Sequence, residues 1–133
     1  MDTLKQTMIG IRNRLLAVTA VTDVVGQRIY SDAPQNATFP FILLSITAAP
    51  WDAKDFSGMQ VSIRAQCFDK TKGMDVVADA QSAILDALDR QETNITIAGH
   101  DLTLIQKGAL IDISKQPDGV VWQSITDFNL LVV

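Results

Sequence analysis

The run Phe41-Ile42-Leu43-Leu44-Ser45-Ile46-Thr47-Ala48 constrains this chain more than any other stretch, because it is apolar on both parities of an extended backbone. A β-strand sends alternate side chains to opposite faces, so the run reads as a strand buried on both. A thin antiparallel sheet in a small protein normally leaves one face to water. Something is therefore expected to cover the second face, and a second subunit is the simplest cover. Gly26 ends a helical segment ahead of this strand, and Pro40 sets off its start.

The 133 residues predict one domain, 1–133, long enough to bury roughly two-thirds of its unfolded surface in a single core. Hydrophobic residues make up 47% and charged residues 20%, an apolar balance that again points to association. The longest candidate membrane run, Leu15 to Gly26, is broken by Thr19, Thr22 and Asp23. It falls short of the roughly 20 residues a span requires, so no membrane partner is expected. Asp2, Lys5, Arg12 and Arg14 lie at helical spacing near the start, without the pattern of a signal peptide, and residence in the cytoplasm is expected. A net charge of −4 without a Lys/Arg cluster argues against tight non-specific binding to duplex DNA. The single cysteine, Cys67, excludes an internal disulfide and a cysteine-based metal cluster within one chain.

Thr3-Leu4-Lys5-Gln6 fits a capping box, and Leu4, Met8, Ile11, Leu15 and Val18 then recur at helical spacing as a core-facing stripe. A second helical turn over about Ala20 to Val25 is closed by Gly26. Arg28 to Tyr30 reads as a short extended piece, Phe41 to Ala48 as the two-faced strand, and Pro50 to Gly58 as a loop. In Met59 to Asp69, Val61, Ile63, Ala65 and Cys67 alternate with Gln60, Ser62, Arg64 and Gln66, the pattern of a half-buried strand. A long helix is expected from about Thr71 to Arg90. Met74, Val77, Ala78, Ile84, Leu85 and Leu88 form its apolar face, interrupted by Gln81, and Asp75, Asp79, Ser82, Asp86 and Asp89 its outer one. Strands over Asn94 to Ala98 and Leu102 to Ile105 flank the turn Gly99-His100-Asp101, and Gly108 marks a bulge within Gln106 to Ile113. Lys115 to Gly119 is a turn cluster, and Val120 to Val133 the last strand, with Trp122, Phe128, Leu130 and Val132 facing one way. The fold class is α+β: an antiparallel or mixed sheet with an N-terminal helix and one long central helix packed on one face.

Nothing in this pattern assembles a catalytic centre. His100 sits beside Asp101 after a glycine, without a serine elbow or a second histidine, and reads as a turn residue. A small hydrolase or ligand-binding domain using His100 and Asp101 is the alternative from another class. Cys67 lies on the apolar parity of its strand as a small buried hydrophobe. Asp75 and Asp79 share a helix face without a histidine and read as solvated carboxylates, and the glycines stand alone rather than in a phosphate loop. No enzyme activity, cofactor or metal is expected. Trp51 and Phe56, with Asp52, Lys54 and Asp55, are instead candidates for an interface anchor, because aromatics concentrate in the buried centres of protein contacts. Folding back over their own domain is the bland alternative. Lys115, Gln116 and Asp118 form a second candidate contact at the other turn. The cations Lys5, Arg12 and Arg14 and the aspartates of the long helix read as separately solvated faces.

These stretches, taken in order, resemble the tail completion proteins of long-tailed bacteriophages, the tail terminator or head-to-tail joining proteins that also occur in gene transfer agents. The resemblance rests on the amphipathic first helix, Val25-Gly26-Gln27-Arg28-Ile29-Tyr30, Pro34 and Phe39-Pro40-Phe41-Ile42. It continues through Val61 to Asp69, the helix with Ala78-Asp79 and Leu85, and Ser124-Ile125-Thr126-Asp127-Phe128. It implies a non-enzymatic virion protein that closes into a homo-hexameric ring on the head-proximal end of the tail tube. Such a ring stops tube polymerisation, docks the head-neck connector and leaves a channel through which DNA passes without specific binding. A head-side adaptor or stopper of similar ring architecture is the nearby alternative.

Overall fold

The structure, a computed structural model, describes residues 3–53, 56–70 and 73–133, and side chains throughout these except at 51–53 and 56–57. Along the chain come α1 (Thr3–Ala17), α2 (Thr19–Val25), β1 (Ile29–Tyr30), β2 (Phe41–Ala53) and β3 (Phe56–Asp69). α3 (Asp75–Leu88), a 3-10 turn at Glu92–Asn94, β4 (Leu102–Lys115) and β5 (Trp122–Val132) follow. The strands form one sheet in the order β1-β2-β3-β5-β4, antiparallel except for the parallel β1–β2 pair. The expected α+β class, with a mixed sheet and helices on one face, is what the chain adopts.

One sheet face is the core. Ile42 and Leu44 of β2, Val61, Ile63, Ala65 and Cys67 of β3, and Phe128, Leu130 and Val132 of β5 are buried beneath α1 and α3. The alternation in β3 therefore reports burial faithfully. Gly26, at φ 60°, closes α2 as expected, its N–H donating to Thr22 O at 2.8 Å. Gly108 lies in the register shift between Lys107 and Ile111, so the expected bulge is real, within one strand running from Leu102 to Lys115.

Several expectations are corrected. Among the described side chains, β2 is covered on both faces only at its start, where Phe41 packs against Tyr30, Phe39 and Phe68 at ring separations of 6.1, 5.3 and 5.3 Å. The chain's own aromatics supply that cover, and farther along Ser45, Thr47 and Ala49 are exposed. Pro50 to Gly58 is not a loop: β2 runs to Ala53 and β3 begins at Phe56, the pairs Trp51↔Gly58, Asp52↔Ser57 and Ala53↔Phe56 extending the hairpin. Asn94 to Ala98 is not a strand, since a 3-10 turn opens it and a single bridge, Ile97↔His100, joins it to the Gly99 turn.

The helices differ in detail as well. α3 begins at Asp75 because Gly73 stands at φ 94°, outside helical backbone, and Met74 is left 49% exposed. Its buried face is Val77, Ala80, Gln81, Ala83, Ile84, Ala87 and Leu88. The buried stripe of α1 is Thr3, Thr7, Gly10, Ile11 and Leu15, with Leu4 exposed, so the stripe is rotated from the apolar reading. Thr3 is itself helical, and its carbonyl accepts the Thr7 hydroxyl at 2.7 Å. Arg12 and Arg14 are not simply solvated: Arg12 Nε donates to Ile29 O at 2.8 Å and Arg14 Nε to Ala87 O at 2.9 Å, tying α1 to β1 and to the end of α3.

Candidate functional site

The sheet face opposite the helices, the tip of the β2–β3 hairpin and the β4–β5 turn lie outside the core. The open face is lined by Ser45 and Thr47 of β2, Ser62, Arg64 and Gln66 of β3, and Gln123, Asp127 and Asn129 of β5. Hydroxyls and amides dominate it. At its centre Arg64 makes a two-pronged contact with Asp127, Nε to Oδ1 at 2.9 Å and Nη2 to Oδ2 at 3.1 Å. The hydrogen bond and charge of Asp127 hold the Arg64 guanidinium above its ordinary value, keeping it charged and neutralised in place. A pair this exposed adds at most about 1 kcal/mol to stability. Its effect is to pair the Arg64 charge within the face, while Asp112 of β4, opposite Ile125, adds a carboxylate to the same side.

Trp51 and Asp52 at the end of β2 and Phe56 at the start of β3 lie in the part of the hairpin that passes the last β5 partner, Val132 opposite Met59. Lys54 and Asp55 fall outside the described residues. Lys115, Gln116 and Asp118 lie at the opposite end of the sheet, since Lys115 pairs with Trp122 while Phe41 pairs with Phe68 and Phe68 with Gln123. The two candidate groups are thus not brought together within one chain. Lys115 Nζ stands 5.3 Å from the centre of the Trp122 ring. Gln116 donates to Gln123 Oε1 at 3.4 Å. Asp118 caps its own turn, accepting the Val120 and Val121 N–H groups at 2.8 and 3.1 Å, which hold its carboxyl below the usual carboxylate range.

The residues weighed for chemistry sit in ordinary surroundings. Cys67 is buried, and burial, followed by the charge of Asp69, pushes its thiol up to about 12, away from the thiolate a nucleophile needs. His100 follows Gly99 at φ 77°, and its N–H donates to Ile97 O at 3.1 Å, a turn position. Among the described residues no three His, Cys, Asp or Glu side chains gather as a metal site, and no helix is long and apolar enough to cross a membrane. His100→Ala is expected to change stability by no more than about 0.5 kcal/mol and to leave assembly intact, measured by urea denaturation and light scattering. Loss of a hydrolytic or ligand-binding activity in that variant, with assembly intact, would favour the alternative class.

Sequence reading missed Gln81, which looked like a flaw in an apolar stripe. It is 7% exposed, and its amide donates to Asp112 O and Ile125 O, both at 3.1 Å, fastening α3 over the β4–β5 junction. The signal was available: a polar side chain on a buried helix face normally has a partner.

The architecture defines a class, an α+β subunit with one helix-covered and one open sheet face. A chain of the solved structure "Virion of native gene transfer agent (GTA) particle" shares this fold at a TM-score of 0.87 and 14% identity, over 98% of this chain and 96% of that one. Residues 10–132 match the family described as "Tail completion protein gp17", and the chain belongs to that family, a structural protein of phage tails. No curated protein matches.

Proposed function

We propose that this chain, acting as one domain, forms a six-subunit ring that caps the head-proximal end of a tail tube, stops its growth and joins it to the head-neck connector. Family membership over residues 10–132 is the observation that carries this reading. It is a structural role with no catalysis, exercised in the virion after assembly in the host cytoplasm. The open sheet face suits a channel wall: its hydroxyls and amides are neutral, and Arg64 is held by Asp127 rather than free for phosphate. A wall with free cations would retain DNA in transit. The β2–β3 hairpin, extending past β5, is the arm that reaches the tube or a neighbouring subunit.

The mass of the purified protein over a concentration series, by light scattering, tests the ring. A discrete six-subunit species supports it, and a strict monomer that also fails to bind purified tail tubes removes it. Trp51→Ala and Phe56→Ala are each expected to weaken association at least tenfold, with an unchanged circular dichroism spectrum and melting temperature. Unaltered association would take the hairpin tip out of the contact. Binding to isolated connectors but not to tubes would place the ring on the head side of the neck instead.

A further inference from the structure

We propose that neighbouring copies of this chain join edge to edge, the open backbone of β2 in one copy pairing antiparallel with the open backbone of β4 in the next. This names the contact inside the ring described above and rests on that reading.

Among the described residues, each edge of the sheet is closed over one half and open over the other. β1 covers β2 at Ile42 and Leu43, where the Ile42 N–H donates to Arg28 O at 2.9 Å. Backbone groups alternate sides along a strand, so those of Ile46 and Ala48 point the same way, to where no further strand lies among the described residues. At the far edge, the segment after α3 closes the first half of β4. Ile105 N–H donates to Glu92 Oε1 at 3.0 Å, Ile105 O accepts the Arg90 N–H at 3.0 Å, and Lys107 N–H donates to Asp89 Oδ1 at 2.9 Å. The bond to Ile105 also holds the Glu92 carboxyl below its ordinary value. Beyond the bulge this cover stops among the described residues. Gln116 N–H donates to Val121 O at 2.8 Å, and counting back from that pair turns the backbone groups of Ile111 and Ile113 away from β5 to the open side.

The two open halves fit each other. β2 and β4 run in opposite directions within the sheet, so copies related by rotation about a ring axis present them antiparallel. With no offset, the open half of β4 would meet β1 and its closed half would face the open half of β2. A slide of about four residues removes both conflicts and sets Ile111 opposite Ala48 and Ile113 opposite Ile46, an even shift that keeps each sheet face continuous. Ile111, 43% exposed in the single chain, then joins an apolar row on the helix side. With four strands from each copy, that stagger tilts the strands by about 35°, as closed barrels require, and six copies close at about 45 Å across the backbone, wide enough for a DNA duplex. Pairing in a closed ring also removes two edges that would otherwise invite uncontrolled aggregation.

The test is a disulfide between Thr47→Cys and Asp112→Cys. Both positions are exposed, and the slide places them opposite each other as a non-hydrogen-bonded pair, with Cα atoms about 4.5 Å apart, within disulfide reach. Cys67 is buried and does not compete. Oxidation of the double variant, alone and on purified tail tubes, is expected to give a ladder of covalent multimers up to six on a denaturing gel, while each single variant stops at dimer. A six-subunit species by light scattering, or a ring bound to tubes, that yields no ladder overturns the edge pairing and leaves the ring. A monomer in both conditions without a ladder overturns the two together.

Discussion

Gly10→Ala is expected to destabilise this protein by about 1–3 kcal/mol, the overpacking range, although alanine is the better helix former by about 1 kcal/mol. A Cβ at position 10 would lie 2.5 Å from Thr96 O and 3.2 Å from Ile97 Cγ1. The oxygen belongs to the backbone and cannot swing aside, because the neighbouring Ile95 and Ile97 are 6% and 4% exposed. The helix must lift instead, and it carries Ile11 and Leu15, both fully buried. Urea denaturation measures the sign: a lower midpoint supports the close approach, whereas a higher one means that helix propensity prevails and the contact is loose.

That glycine also marks where local pattern stops informing. The β3 alternation, the Gly26 helix stop and the Gly108 bulge were legible because each is written in adjacent residues and answers to one packed face. The buried side of α1 was legible at Ile11 and Leu15 but not beyond them, since the contact also selects small side chains, Thr3, Thr7 and Gly10, that a count of apolar residues passes over. Pro50 read as a strand end. It pairs with Met59 inside β2, and by alternation from Ile42 its nitrogen faces the open edge, where the missing donor breaks no ladder.

The candidate surfaces were legible as composition and not as place. Trp51 and Phe56 stood out as aromatics among charges, yet that they ride a hairpin past the end of β5 follows from the pairing of Met59 with Val132, a long-range contact. Arg64 and Asp127 are far apart in sequence, and only the register of β3 on β5 makes them partners. The open edges were invisible for the same reason: which strands lie outermost depends on β5 inserting between β3 and β4.

Phe128→Ala is expected to have the largest effect of any single truncation, about 3–5 kcal/mol, because Phe128 is the largest fully buried side chain among the described residues and its loss leaves a cavity. It pairs with Ile63 on β3 and Lys107 on β4, on the sheet face that α3 packs against. For a chain of this length the melting temperature should fall by about 12–20 °C. The variant also sharpens the assembly experiments, since a partly unfolded chain associates poorly for reasons unrelated to any interface. Phe128→Ala should lose association together with its melting temperature and regain it on cooling below the transition. Trp51→Ala should lose association at a native melting temperature and stay impaired on cooling. If the two variants behave alike, the hairpin tip supports the fold and not the ring.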